Sequence, residues 1–333
     1  MNFPYPVLVC DVGGTNARFA MAAQPGAAPG TVFVGKTADH ATFESALADV
    51  WDKFTPTPRS LIVCAAGPAE GRKLKLTNAA WMIDGAVVAE RFGLLQGLLL
   101  NDFEAQALSL AVLQPSDWTP IGPAFAARGG TGLVLGSGTG LGVGALVETS
   151  GRFLALPSEA GHMNLDPSTR EEEILWPHIE ADELGRVSAE HLLSGPGLVR
   201  LHQARQRAAG LEVPENEEAK TIDMRAQADR SSQEAQTIAL YFQLLARFSG
   251  DLALAFLARG GVTFAGGIFP KLLDLLDTAA FRATFEAKAP HQAFMKRIAT
   301  RLISTEAAVL AGMAAVAHDP ELYLIDYQNR AWR

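Results

Sequence analysis

Asn101 and Asp102 stand where the apolar run 98–100 meets an amphipathic segment that begins at Phe103. In open α/β sheets such a strand-to-helix junction faces the ligand crevice. A carboxylate there can take the proton of a substrate hydroxyl as that oxygen attacks a phosphorus. A carboxamide beside it can donate to and accept from neighbouring hydroxyls. The same spacing also fits Asp102 as an ordinary helix N-cap. Further on, Ser158-Glu159-Ala160-Gly161-His162 brings a carboxylate and an imidazole into one loop. The two can hold adjacent hydroxyls, although a Glu and a His this close in a loop need bind nothing. A zinc site there is disfavoured, because no cysteine lies nearby and no third ligand has suitable spacing. Glu190, two residues after Ser188, reads by itself as an acidic residue complementing the first turn of a helix.

Three glycine-rich turns offer the complementary chemistry. Asp11-Val12-Gly13-Gly14-Thr15-Asn16 follows an apolar strand, so its glycines can take positive φ and let backbone N–H groups and the Thr15 hydroxyl approach phosphate oxygens. Asp11 would then lie near Mg²⁺, which accepts a single carboxylate together with water and substrate phosphates. Gly136-Ser137-Gly138-Thr139-Gly140-Leu141-Gly142 supplies a second nest of amides. Ala265-Gly266-Gly267-Ile268 supplies a third backbone surface, able to lie flat against adenine. Each alone is equally a tight turn that uses glycine for conformation.

Two other patterns fail on context. Gly30 to Thr37 satisfies the spacing of a P-loop and would make Lys36 a phosphate ligand. A P-loop leaves a strand and enters a helix, whereas 31–34 is β-branched and aromatic and should itself be the strand. Gly140-x-Gly142-x-x-Ala145 resembles a dinucleotide fingerprint, but 143–147 continues as a strand instead of opening a helix.

The elements that must position these groups alternate through the first half of the chain. Apolar and β-branched runs predict strands at 7–11, 18–22, 31–34, 61–65 and 98–100, with helices over 42–54 and 103–113. A Pro- and Gly-containing passage, 114–132, precedes a strand at 133–136 and marks a domain crossing. From Ser188 the pattern turns mostly helical, including the long run 232–257, and a strand at 262–265 interrupts it. The polar passage 203–232 reads as surface. A faint repeat relates the strand-turn-strand pattern at Val9 to the one at Val134, which would give each domain its own amide nest, the two facing each other across a cleft.

Length and composition bound the class. At 333 residues a chain is better served by two domains than by one core, and 48% hydrophobic with 19% charged residues is a folded globular composition. A net charge of -8 with scattered Lys and Arg suggests no nucleic-acid track, so small-molecule partners are expected. Cys10 and Cys64, the only cysteines, sit in apolar runs and read as buried free thiols of a reducing compartment. No signal or transit peptide and no uncharged apolar stretch of about twenty residues is legible, so a cytoplasmic, membrane-free protein is expected.

Seven segments, taken in order, resemble the bacterial glucokinase family of the actin-like, hexokinase-type ATPase superfamily over nearly the whole chain. They are Asp-Val-Gly-Gly-Thr-Asn-Ala-Arg18, Leu-Thr-Asn-x-x-Trp81, Asn-Asp-Phe-Glu-Ala105, Gly-x-Gly-Thr-Gly-Leu-Gly142, Ser-Glu-Ala-Gly-His162, Ser-Ala-Glu-x-x-Leu-Ser-Gly-Pro-Gly197 and Ala-Gly-Gly-Ile268. The resemblance implies two actin-like (ribonuclease H-like) α/β domains around a central cleft. The smaller would be 1–112 plus 305–333, with a helix near 306–318 packing back on it, and the larger 113–304. It implies transfer of the γ-phosphoryl group of ATP to the 6-hydroxyl of glucose, giving glucose 6-phosphate and ADP. The implied glucose contacts are Asn101, Asp102, Glu159, His162 and Glu190, with Asp102 as general base. The implied nucleotide contacts are Cys10, Asp11, Val12, Gly13, Gly14, Thr15, Gly138, Thr139, Gly266 and Gly267, with Mg²⁺ at Asp11 through water, and a homodimer is expected. On that footing the binding roles of Asp102, Glu159, His162 and Glu190 take precedence over the capping and loop readings. Cys10 departs from relatives that carry glycine there, but it would contribute mainly backbone. The cysteine-rich zinc motif usual in the related repressor and sugar-kinase branch is missing. A kinase for another hexose or a hexosamine, or an actin-like ATPase or sugar sensor without a phosphoryl acceptor, is the alternative.

Overall fold

The computed structural model describes residues 1–332 except Pro68, Asn78, 124–128 and Glu215, and it leaves the side chains of Ala69 and Glu70 undescribed. Asn78 of the Leu-Thr-Asn segment and residues 124–128 of the predicted crossing therefore lie outside the described residues. The chain divides into two compact units: Met1–Asp117 with Gly144–Pro157 and Thr305–Arg333, and Trp118–Val143 with Ser158–Ser304.

The first unit is built on a six-stranded sheet in the spatial order Ala331–Trp332, Gln96–Asn101, Ser60–Ala65, Val7–Val12, Asn16–Ala22, Phe33–Lys36. Val7–Val12 pairs antiparallel with Asn16–Ala22 and parallel with Ser60–Ala65, which pairs parallel with Gln96–Asn101. The three parallel strands are buried almost throughout, as strands covered on both faces must be, which is why they read as continuous apolar runs. Their register sets Asp11 beside Cys64 and Cys64 beside Leu100, and Ala65 beside Asn101. The polar ends of these strands thus share one edge of the sheet.

The strand expected over 31–34 lies at Phe33–Lys36, because antiparallel pairing of Asn16 with Lys36 and Arg18 with Val34 outweighs the β-propensity of Thr31 and Val32. This places Gly35 and Lys36 inside a sheet strand, followed by a short 3₁₀ turn, Thr37–Asp39, and not by a helix. The helix expected over 42–54 runs Phe43–Trp51 behind a Thr42 cap whose hydroxyl accepts from Ser45 N at 3.2 Å. The helix expected over 103–113 is shorter, Asp102–Ser109. The helix near 306–318 is found at Ala308–His318 and packs on Asp102–Ser109 so closely that a Cβ at Gly312 would come within 2.8 Å of Ser109 Cα.

In the second unit Gly132–Ser137, Val262–Ala265 and Thr300–Ile303 run parallel, and Trp118–Pro120 closes the row antiparallel. The long helix Gln233–Ala255 supports them. Phe242 from this helix meets Phe269 at 5.1 Å between ring centroids, and Phe269 meets Phe264 at 5.0 Å. This helix has the length and mean hydropathy (1.2) to cross a bilayer, yet 67% of the window is buried inside the protein, so it is a core helix. The passage 203–232, expected as surface, contains the helix Ala219–Ala228, which buries Ile222 and Ala226. Two buried positions four residues apart are too few to stand out in a polar sequence. Leu141–Thr149, the strand after the second glycine turn, straddles the division at Val143. Cys10 and Cys64 are both buried and free, as read from the sequence.

Candidate active site

At the polar edge of the first sheet, Asp11 ends a buried strand with 18% of its side chain exposed, and its Oδ2 lies 3.3 Å from Arg18 Nη1. Its Oδ1 accepts from the Cys64 thiol at 3.6 Å. Burial pushes the Asp11 carboxyl above its ordinary value, with the Arg18 charge and the two hydrogen bonds pulling it back. Burial likewise drives the Cys64 thiol well up, reinforced by the negative charges of Asp11 and Asp102. Cys64 is therefore a neutral S–H donor held among carboxylates. Arg18 lay within the quoted segment, but sequence reasoning gave neither it nor Cys64 a part. Arg18 is recoverable from the hairpin, since it pairs directly with Asp11; Cys64 depends on a parallel register that local pattern does not carry.

The turn after Asp11 is closed by Gly13 N donating to Asn16 O at 2.8 Å, and it is braced by Thr37. Thr37 Oγ1 donates to Gly13 O at 2.9 Å, and Thr37 N donates to Thr15 O at 2.9 Å. Gly14 and Thr15 are exposed. The positive φ expected of these glycines is not found at Gly13 or Gly14. Here the missing side chains leave the backbone accessible without a left-handed conformation.

Asn101, not Asp102, caps the following helix. Its Oδ1 accepts from Phe103 N at 2.9 Å and Glu104 N at 3.1 Å, and its Nδ2 donates to Gly67 O at 3.0 Å. Glu104 answers by accepting from Asn101 N at 3.3 Å, which completes a capping box. Asp102 is the first helical residue, so the orphan amides of the helix start are met by its neighbour.

The second unit gathers Glu190, Glu159 and His162 around the backbone of Leu141. Glu190 Oε2 accepts from Leu141 N at 2.9 Å, and a Cβ at Gly140 would lie 2.6 Å from the same oxygen. On the other side Gly161 packs on the Leu141 carbonyl, where a Cβ would stand 2.0 Å from the oxygen. The two flanking segments are joined by Ala189 N donating to Met163 O at 2.8 Å and by a bridge between Asn164 and Ser188. Glu159 Oε2 stands 3.7 Å from His162 Nε2, with 91% and 56% of their side chains exposed, so both heads remain available to a ligand.

The second glycine turn is tied down from three directions. Gly138 N donates to Gly140 O at 2.9 Å, and Gly195 N, at the start of the helix Gly195–Ala208, donates to Gly138 O at 2.8 Å. The buried Ser137 hydroxyl donates to Leu193 O at 2.8 Å and lies 2.7 Å from Tyr241 OH. Gly266 takes φ +88, and a Cβ there would fall 2.3 Å from Ser137 O, so this position requires glycine twice over. Thr139, Gly266 and Gly267 are exposed beside this frame. Next to it a cavity of about 430 Å³ is walled by Leu198, Met224, Ile268 and Leu272 with Lys220 and Lys271 at its polar side.

Among the described residues no group of three or more His, Cys, Asp and Glu side chains could hold a metal ion. A divalent cation would have to be held by a single carboxylate, water and substrate phosphates. A desolvated carboxylate with one cationic neighbour, such as Asp11, fits that demand.

Comparison with known proteins gives the family. A family model described as Glucokinase matches residues 8–320. The chain is 40% identical to a glucokinase of Rhizobium meliloti (strain 1021), covering all of this chain and 98% of the relative. It is 39% identical to a glucokinase of Rhizobium johnstonii, covering 99% and 96%. Among solved structures it resembles a glucokinase from an Antarctic psychrotroph with a TM-score of 0.83 at 28% identity, covering 94% of this chain and 99% of that one. Its two six-stranded sheets are those of actin-like domains, and the chain belongs to the glucokinase family.

Proposed function

We propose that the chain phosphorylates glucose on its 6-hydroxyl with ATP, and that Asp102 is the general base. In this reading the Asp102 carboxylate accepts the proton of the sugar hydroxyl as the oxygen bonds to the γ-phosphorus, while the bond from that phosphorus to the β–γ bridging oxygen breaks and ADP leaves. The observation that carries the assignment is the place of Asp102 as the first residue of the helix at the end of the strand Gln96–Asn101, close enough to Cys64 for its charge to act on the thiol, with the N-cap itself made by Asn101. The accumulation of Asp11 and Asp102 around a neutral thiol at one sheet edge supports it further.

Asn101 retains one Nδ2 proton beyond its bond to Gly67 O, which suits a sugar hydroxyl. Glu159, His162 and Glu190, assembled around Leu141, are assigned the remaining hydroxyls. The amides of Gly13, Gly14, Thr15, Gly138 and Thr139 are assigned the phosphates, with Cys10 and Val12 contributing backbone. Gly266 and Gly267 are assigned the nucleoside, and Ile268, which follows them, lines the cavity that would take it. Mg²⁺, held by Asp11 through water, would supply positive charge at the phosphate oxygens. The assigned domains are 1–112 with 305–333 and 113–304, in a homodimer working in the cytoplasm.

The test is Asp102→Asn, assayed for glucose 6-phosphate and ADP together. Turnover should fall by about 10²- to 10⁴-fold while the KM for glucose stays within a few-fold. Near-normal turnover would remove Asp102 from the role. ADP release without stoichiometric sugar phosphate in the unmodified protein would remove the kinase reading.

A further inference from the structure

The end of the described chain folds back onto the strand that delivers Asp102. The short helix Tyr327–Arg330 is capped by Asp326 and leads into Ala331–Trp332, which pairs antiparallel with Gly97 and Leu98. The register is fixed by the Trp332 ring, which lies so close over the sheet that a Cβ at Gly97 would come within 2.1 Å of it and one at Gly85 within 2.4 Å. Gln96 Nε2 adds a donor to Trp332 O at 2.7 Å.

Arg330 occupies the centre of this strap, with 17% of its side chain exposed. Its Nε and Nη2 donate to Leu99 O at 3.1 and 2.8 Å. Its Nη1 and Nη2 donate to Glu104 Oε1 and Oε2 at 2.8 and 2.5 Å. Leu99 lies two residues before Asn101, and Glu104 two residues after Asp102. One planar guanidinium therefore brackets the strand-to-helix junction from both sides. Glu104, only 8% exposed, passes the restraint on by accepting from Asn101 N. A bidentate Arg–carboxylate pair of this kind fixes direction as well as distance, which an ammonium cannot do.

We infer that Arg330 is a positioning residue for phosphoryl transfer, holding through Leu99 and Glu104 the junction that aims Asp102 at the acceptor hydroxyl. The inference rests on the base reading of Asp102. Its donors go to Leu99 O and the Glu104 carboxylate, which flank Asn101 and Asp102, so losing the guanidinium would release the junction on both sides.

The experiment compares full-length Arg330→Met, Arg330→Lys, Glu104→Gln and Asp102→Asn by steady-state kinetics and thermal melting. Arg330→Met should lower kcat by about 10- to 100-fold with the KM for ATP within about threefold, because about 1 Å of misplacement at a distance costs rate and not binding. Arg330→Lys should recover part of that loss, since its ammonium reaches Glu104 but cannot span to Leu99 O as well. The double variant Arg330→Met/Glu104→Gln should lose little more than the worse single one, as expected for one coupled unit. A folded Arg330→Met enzyme with kcat within twofold of the parent overturns the inference. So does a kcat loss that merely follows the lowered melting temperature and that Arg330→Lys does not relieve. Full activity in Asp102→Asn would instead overturn the base reading, which separates the two failures.

Discussion

Replacing Gly161 by alanine tests whether the loop proposed to bind sugar depends on its seat against Leu141. The added Cβ would stand 2.0 Å from the Leu141 carbonyl oxygen, and tolerable Cβ contacts begin near 3.0 Å, so the loop and the strand must part by about 1 Å. The obstacle is backbone in a strand whose amide is also bound by Glu190, so it cannot swing aside as a side-chain tip would. Glu159 and His162 lie on either side of Gly161 and would be carried along. A displacement of about 1 Å at a reacting or binding group costs on the order of 10²-fold, or about 2.7 kcal/mol at the conversion of about 1.36 kcal/mol per tenfold. Overpacking itself should cost about 1–3 kcal/mol of stability. The measurement is kcat and KM for glucose and for ATP, with a melting curve to establish that the variant is folded. The loss should fall on kcat/KM for glucose, with the KM for ATP nearly unchanged. A folded Gly161→Ala enzyme whose kcat/KM for glucose is within threefold of the parent would refute the reasoning. An equal rise in the KM for ATP would do the same.

Lys36→Ala should leave kcat and the KM for ATP within about twofold, because Lys36 ends a strand paired with Asn16 and leads only into a short 3₁₀ turn, not an α-helix; a fall of the size expected for a lost P-loop lysine would revive the rejected pattern. His202 supplies a pH prediction: its side chain is 1% exposed, with Nδ1 3.1 Å from Thr237 Oγ1 and Nε2 3.8 Å from Glu234 Oε1. Burial lowers its pKa below the usual value of about 6.5, against the opposing pull of Glu234 and Glu217, so just below that pH the unfolded chain binds a proton that the folded chain refuses. Stability should therefore fall as pH drops from 7.5 towards 5.5, and the urea midpoint of His202→Gln should fall less over the same interval; equal slopes would show that His202 contributes nothing to the acid loss.

The parts of this molecule legible in the sequence are those whose cause is local. Asp11, the glycine turns and the strand entering Asn101 are spelled out by contiguous residues, because a buried parallel strand must be apolar along its length and a close backbone approach must omit side chains. The choice between two readings of Asp102 was local too. The Asn-x-x-Glu spacing from Asn101 to Glu104 is that of a capping box, and reading it would have given the cap to Asn101. What could not be read is what long-range register creates. Cys64 becomes a neighbour of Asp11 only because two parallel strands align one residue against the other. Arg330 reaches Leu99 across 231 positions, and nothing in its own surroundings marks it. The glycines divide in the same way. Gly13 looks essential for conformation and has an ordinary φ, while Gly161 looks like a loop hinge and is in fact a seat for the Leu141 carbonyl. Residue type thus announces the chemistry, but the precision with which Asp102 and the Glu159–His162 pair are held comes from partners that only the fold selects. Substitutions at those partners, more than at the motifs themselves, separate a correctly read site from a coincidence of residue types.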